Sequence, residues 1–415
     1  MMFRMTWVHP NDRRYQLILW RESPSALLVT YELATNTYGL RSSPYISIRT
    51  LLELAERERS SYPRAAAVLE NDSYVDDCLT GASSLGEAQI LKTELQSLMA
   101  CGGYELRKWI SNEPELLKDI PLEHLQGPYE FHDPDNPPTI PVLGIQYNPT
   151  ADSFTYSFSF KPQKSLTKRT VLSLIARIYD PCGWISPVVF KAKAFIQRLW
   201  MSGLNWDGPL NQSLSDEWLL FVQDLENIKQ LSIPRRILPA DATSISLHGF
   251  FDASEAGYAA VVYLRTESYS GHCSVHLLIS KSKIAPIRTR LTIPMLELKG
   301  AVLLTKLIHH VTICLQKVIV LDAIYSWTDS KIVLAWIKTP PHLLQTFEAN
   351  RVSQITSSDF PSEWHHVPGS INPSDCASRG LSASSLLNHD LWWSPSWLTE
   401  SPNHWPIGAD NKQSY

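Results

Sequence analysis

The sequence predicts a multidomain chain of mixed α+β and α/β class that closes on a mixed five-stranded sheet with flanking helices. Three observations point there. At 415 residues the chain has room for two to three domains at about 150 residues each. From residue 243 its hydrophobic pattern runs strand, strand, strand, helix, strand, helix, helix, strand, helix. Three strands in series followed by α/β alternation imply antiparallel strands continued by parallel ones. Hydrophobic residues make up 44% and charged residues 19%, a composition that excludes a largely disordered chain. With 37 Lys and Arg against 41 Asp and Glu, the net charge is −4, so a nucleic-acid surface must be a local patch.

The first half mixes short strands and helices. A strand is predicted over 15–20 and a helix over 47–59. Tyr74-Val-Asp-Asp77 reads as a tight strand–turn–strand. Ser84-Leu-Gly-Glu87 is a capping-box pattern that opens a helix. Its apolar positions Ile90, Leu91, Leu95, Leu98 and Met99 share one face, and Gly102-Gly103 closes it. A strand is predicted over 105–110. Five prolines in 127–141 mark a linker. Between 160 and 200, Lys161, Lys164, Lys168, Arg169, Arg177, Lys191, Lys193 and Arg198 stand against a single acid, Asp180. Such a run is either a solvated helix face or a surface for phosphates.

In the second half, strands are predicted over 244–253, 257–266, 273–280, 323–328 and 364–367. Helices are predicted over 294–314, 330–338, 343–355 and 372–387. The stretch after 388 carries Trp392, Trp393, Trp397 and Trp405 among prolines, which predicts a poorly packed extension or a truncated neighbouring domain. The six cysteines are scattered without a CxxC pair. That pattern argues against a disulfide framework or zinc knuckle and fits a reducing compartment. No signal peptide or membrane span is predicted, so the expected location is intracellular, cytoplasmic or nuclear.

Asp252 ends a hydrophobic strand, Glu297 sits in the first turn of a long helix, Asp329 ends another strand and Asp375 opens the last helix. One carboxylate after a strand is usually an N-cap; four in this element order point to shared chemistry. Phosphodiester hydrolysis needs an activated water and a stabilised leaving oxygen. Two Mg²⁺ ions about 3.5–4 Å apart supply both, and such hard cations take oxygen ligands.

These residues carry a family resemblance. The 243–385 segment resembles a ribonuclease H domain of retroelement type, with Asp252, Glu297, Asp329 and Asp375 at the positions of that family's acidic metal ligands. Residues 364–380, Trp-His-His-Val-Pro-Gly-Ser-Ile-Asn-Pro-Ser-Asp-Cys-Ala-Ser-Arg-Gly, are especially similar to the retrotransposon version. The resemblance implies two-metal cleavage, with Mg²⁺ or Mn²⁺, of the RNA strand in RNA–DNA hybrids. Asp252 and Asp329 would hold the catalytic metal, Glu297 the water-side ion and Asp375 the second ion. His366, nine residues before Asp375, stands near the family's product-release histidine. Tyr74-Val-Asp-Asp77 resembles the catalytic signature of reverse transcriptases. Together with 37–45, 143–147 and 167–181, it resembles Pol polyproteins of BEL/Pao-type retrotransposons.

The implied architecture is a partial reverse-transcriptase palm and thumb/connection followed by a ribonuclease H-like mixed sheet. The expected divisions are a palm remnant over 1–82, a thumb-like region with linker over 83–160 and a basic connection over 161–242. The ribonuclease H-like domain follows over 243–388, then the Trp-rich tail over 389–415. The family's further palm aspartate precedes a Met-Phe-Arg stretch, which here stands at residues 2–4. The expectation is an N-terminally truncated polymerase that keeps Asp76 and Asp77 but does not polymerise alone. Lys161, Lys164, Lys168, Arg169, Arg177, Lys191 and Lys193 would contact the backbone of the nucleic acid. The alternative expectation is a non-catalytic nucleic-acid-binding or domesticated interaction protein.

Overall fold

Amphipathic helices need a partner surface, and that need divides the chain differently from the sequence expectation. The computed structural model describes residues 2–126, 139–142, 144–158 and 165–407. Most of the expected linker, and the candidate contacts Lys161 and Lys164, lie outside the described residues. The chain forms two compact units, Met1–Thr139 with Pro149–Ala151, and Ile140–Asn148 with Asp152–Tyr415.

The first unit holds two hairpins and three helices. Strands β1 (Leu17–Trp20) and β2 (Val29–Glu32) pair antiparallel. Helices α1 (Ser43–Glu58) and α2 (Pro63–Asn71) precede a minimal hairpin of β3 (Ser73–Tyr74) and β4 (Asp77–Cys78), and α3 (Leu85–Cys101) follows. One core joins Leu51 and Ala55 of α1, Ala65 and Leu69 of α2, and Leu95, Leu98 and Met99 of α3. A boundary at 82/83 would cut through this core, since the apolar stripe of α3 is buried against the helices before it. Ser84 Oγ accepts the Glu87 N–H at 3.3 Å, and the Glu87 carboxylate reaches back to the Ser83 N–H at 3.2 Å. Residues 105–110 do not form the predicted strand. Lys108 adopts φ 58°, which breaks the pleat, and only an isolated Trp109–Leu125 bridge remains.

In the second unit, β5 (Ile140–Val142), β6 (Ile145–Asn148), β7 (Ser153–Thr155) and β8 (Ile233–Pro234) make a small antiparallel sheet. Between its last two strands run α4 (Lys168–Ile175), α5 (Ser186–Met201) and α6 (Gln212–Leu225). The main sheet is built from β9 (Ala242–Ser254), β10 (Gly257–Ser268), β11 (Cys273–Ile284), β12 (Ala323–Thr328) and β13 (Glu363–His366). It is the expected mixed five-stranded sheet, with order β11-β10-β9-β12-β13, antiparallel over the first three strands and parallel over the last three. Helices α7 (Ile293–Leu315), α8 (Lys331–Lys338), α9 (Thr346–Thr356), α10 (Ser374–Arg379), α11 (Ala383–Leu387) and α12 (Asp390–Trp393) complete the unit.

Alternation along the central strands fills two cores. Leu247, Phe251, Tyr258, Ala260 and Val262 pack with Leu298, Leu304 and Ile308 of α7. By length and composition α7, at 23 residues, is apolar enough to cross a membrane. Here that apolar stripe covers a sheet face. On the other face, Phe250, Val261, Tyr263 and Trp327 pack with Val188, Phe195 and Leu199 of α5 and with Trp392, Leu398 and Trp405.

Two expectations for the C-terminal end are corrected. The predicted helix over 372–387 breaks after Arg379, where Gly380 takes φ 86° and ends α10. The Trp-rich stretch is not a loose tail. Trp392 is fully buried, its Nε1 donates to the Trp184 carbonyl at 2.9 Å, and its own carbonyl accepts Tyr263 Oη at 2.6 Å. Trp397 and Trp405 set their edges on Trp327, with centroids 5.0 and 5.9 Å away. Aromatic side chains without another apolar surface to cover are buried wherever a sheet face is free. The expected 161–242, 243–388 and 389–415 pieces therefore share one core. Trp392→Ala should destabilise this unit by about 3–5 kcal/mol, read as a shifted urea midpoint, whereas a loose tail would leave the midpoint unchanged.

Candidate active site

Strand register sets the first pair of acids. β12 runs parallel to β9 with Ala323 opposite Ser246 and Trp327 opposite Phe250. The same register carried two residues further sets Asp329, just past the end of β12, beside Asp252 near the end of β9. Adjacent strands lie about 4.8 Å apart, so two carboxylates share one end of the sheet. Asp252 is only 4% exposed.

The other two acids arrive on helices. α7 brings Glu297, whose Oε2 accepts Ser330 Oγ at 2.5 Å. Ser330 also caps α8 by accepting the Val333 N–H, so one hydroxyl ties this acid to the end of β12. α10 brings Asp375, whose Oδ1 takes Arg379 Nε at 2.5 Å. From the same helix Ser378 Oγ donates to Asp252 Oδ2 and to the Asp375 carbonyl. Asn372, fully buried, donates to the Phe251 carbonyl at 3.1 Å and accepts the Ser374 N–H at 3.1 Å. It thereby fixes the start of α10 one residue from Asp252. Gly369 leaves room for Asp329, since a Cβ there would lie 2.8 Å from Asp329 Oδ2.

Electrostatics couple the four acids. Burial pushes the Asp252 carboxyl up to about 7; the Ser378 hydroxyl opposes this, and the charges of Asp329 and Asp375 add to it. Glu297 is raised by burial, countered by Ser330 and reinforced by Asp329. Asp329 is raised by burial and by Asp375, while its own N–H, Asn372 and His366 favour the charged form. His366 lies on β13 opposite Thr328.

All the donors are oxygens, and Asp329 Oδ1 is buried without a hydrogen-bond partner. A hard divalent cation would relieve both the repulsion and this orphaned atom, so the donor chemistry fits Mg²⁺ or Mn²⁺. Among the described residues no three His, Cys, Asp or Glu side chains converge on one point in metal-holding fashion. Asp375 is drawn toward Arg379 and Asp252 toward Ser378, so the protein alone does not complete a coordination sphere.

The remaining predicted residues lie elsewhere. Asp76 and Asp77 are exposed at the turn of the β3–β4 hairpin, where Val75 takes φ 54°. Two residues of the basic stretch, Arg169 and Arg198, are paired with acids. Lys168 is buried, Arg169 forks onto Asp207 at 2.6 and 3.0 Å, and Arg198 pairs with Glu217. The compensating acids come from beyond residue 200, outside the window that looked one-signed. Arg177 and Lys191 are exposed, and Lys193 is half-buried near Asp180 and Lys281.

Residues 167–330 match the family model of the Pao retrotransposon-like RNaseH-like domain. This segment is similar to the ribonuclease H-like domain of Pao-type retrotransposons. The match to the Pao family begins at α4, inside the stretch expected to be a connection, and it includes Asp252, Glu297 and Asp329 but stops short of Asp375. No curated protein matches this chain. Among solved structures it is similar to the foamy viral protease-reverse transcriptase in complex with dsDNA. That likeness has TM-score 0.48 and 11% identity, covering 88% of this chain and 65% of that one. It is also similar to RNase H1 from the halophilic archaeon Halobacterium salinarum NRC-1, with TM-score 0.21 and 17% identity over 31% of this chain and 90% of that one. The chain thus spans less than two thirds of the foamy viral chain.

Ser330, Gly369, Asn372 and Ser378 escaped the sequence reading, although the last three stand in the 364–380 motif. A buried carboxyl whose pKa lies above its unfolded value of about 3.9 stays protonated in the fold while the unfolded chain ionises. Stability is then lost as pH rises toward the folded value, here about 7 for Asp252. In EDTA, Asp252→Asn should melt higher than the wild type at pH 8, and the gap should narrow at pH 5. Asp180, also pushed up by burial, to about 6, is common to both proteins and cancels in that difference.

Proposed function

We propose that this chain hydrolyses the RNA strand of RNA–DNA hybrids at the cluster of Asp252, Glu297, Asp329 and Asp375. The observation that carries the proposal is the β9–β12 register, which sets Asp329 beside the buried Asp252 inside a segment of the Pao family's RNaseH-like domain. Asp252 and Asp329 would hold the catalytic ion, Glu297 would serve the water-side ion and Asp375 would complete the second. Two bound Mg²⁺ or Mn²⁺ ions would supply an activated water and a stabilised leaving oxygen. A substrate phosphate would fill the ligand positions that the protein leaves open, which is the usual habit of Mg²⁺ sites.

The residues of the chain then have separate tasks. Ser378 and Ser330 orient Asp252 and Glu297 through single hydroxyl hydrogen bonds. Asn372 holds α10 against β9, so that Asp375 and Asp252 keep their spacing. We infer further that Met1–Thr139 is related to a reverse-transcriptase palm and does not extend primers by itself. Asp76 and Asp77 are exposed, and among the described residues no third acid joins them as a metal-holding group.

A labelled hybrid incubated with the full chain and Mg²⁺ should be cut in its RNA strand, and EDTA should abolish the cut. Glu297→Gln should slow cleavage on the order of 10²–10³-fold, the usual loss when a charge-stabilising group is removed. An intact hybrid under these conditions would refute the nuclease, and extension of a primed RNA template would refute the statement about the palm.

A further inference from the structure

α10 has six residues, Ser374–Arg379, about 9 Å of helix, and is too short to persist in water on its own. What places Asp375 beside the other acids is therefore whatever ties this helix to the sheet. Arg379 pairs with Asp375 from within the same helix. That ion pair travels with α10 and fixes nothing relative to β9.

The ties run to β9. At the start of α10, Asn372 donates to the Phe251 carbonyl. At its end, the Ser254 hydroxyl donates to the Ser378 carbonyl at 2.6 Å. A helix leaves its last carbonyls without partners in its own ladder, and Ser378 offers one of them. Phe251 and Ser254 flank Asp252, so the strand that carries one acid grips both ends of the helix that carries another. The Ser378 hydroxyl meets Asp252 as well, but through a carboxylate oxygen that a cation would claim. The bonds of Asn372 and Ser254 end on backbone carbonyls, so a cation among the acids does not compete for them.

The hairpin fits Ser254 for this role. Ser254 pairs with Gly257, the first residue of β10, across a two-residue loop. Its Oγ accepts the Ala256 N–H at 3.2 Å, the local bond that a serine makes two residues on in a turn. A hydroxyl has one proton to donate, and here it goes to Ser378. β9 itself does not depend on that bond. It pairs with β10 from Ala242 to Ser254 and with β12 from Ser246 to Phe250, and Asp252 stands in the first ladder opposite Ala259. Loss of the Ser254 hydroxyl would free the end of α10 and leave Asp252 and Asp329 where they are.

We propose that Ser254 is a positioning residue for the second ion, its hydroxyl holding α10 so that Asp375 keeps its place beside Asp252. The task of that ion rests on the nuclease reading; the hold of β9 on α10 does not.

The test is a Mn²⁺ titration of the full chain, with the free ion read by electron paramagnetic resonance. Asp329→Asn and Asp375→Asn assign the binding phases to the first and the second ion. Ser254→Ala should weaken the Asp375-dependent phase by about 10-fold, the lower end of the usual loss when a group supporting a metal ligand is removed. The phase that depends on Asp329 should stay unchanged, and Ser254→Thr, which keeps the hydroxyl, should restore wild-type binding. A wild-type isotherm in Ser254→Ala, an equal loss in both phases, no recovery in Ser254→Thr, or no Asp375-dependent phase in the wild type would each overturn the proposal. Cleavage of a hybrid by the wild type alongside an unaltered Ser254→Ala isotherm would leave the nuclease standing without this role for Ser254. A selective loss in a chain that never cuts a hybrid would leave the role standing without the nuclease.

Discussion

The parallel pairing of β9 with β12 is the constraint on which the rest of the second unit depends. It joins the antiparallel meander to the α/β alternation and sets which residues of the two strands stand level. A slip by one residue would turn every side chain of β12 to the other face. Trp327 would leave its aromatic neighbours, and Asp329 would no longer stand beside Asp252. The aromatic packing of Trp327 against Phe250, Trp397 and Trp405 therefore protects the spacing of the acids as well as the core.

Carboxylates gathered in a half-buried corner oppose folding, since burial and like charge act on them in the same direction. The chain offsets this with local hydroxyls, one amide and the Arg379 guanidinium on Asp375. Ser378 meets Asp252, Ser330 meets Glu297, and Asn372 locks the turn between β13 and α10 to the neighbouring strand. The hydroxyls and the amide steady the acids without neutralising them. An arginine or lysine at the same places would relieve the strain and remove the reason for a cation to bind.

Much of this was legible in the residues. Period-two alternation over 244–280 and the Pro-opened run from 293 gave the strands and long helix of the main sheet. The position of acids at element ends singled out Asp252, Glu297, Asp329 and Asp375 as candidates. Register was not legible, because no local pattern says which residue of β12 faces which residue of β9. Nor were the supporting groups, since serines and asparagines are common and their role depends on a partner more than a hundred residues away, as for Ser378 and Asp252. The pairing of Arg169 and Arg198 was not legible for a related reason: Asp207 and Glu217 come from later in the chain. The tryptophans after 388 misled because proline-rich spacing resembles a tail, although each large ring found a place on a sheet face already lined with aromatics.

The closing segment has one more consequence. Leu398 and Glu400 offer their carbonyls to the guanidinium of Arg265 on the central strand β10, while Trp405 lies across the same side chain. A proteolytic processing point, or a cloning boundary, placed between α11 and Trp405 would strip the lining from one side of the sheet and leave the buried Arg265 with the Glu267 carboxylate but without its two carbonyl acceptors. The smallest self-sufficient excision of this domain must therefore extend through residue 405.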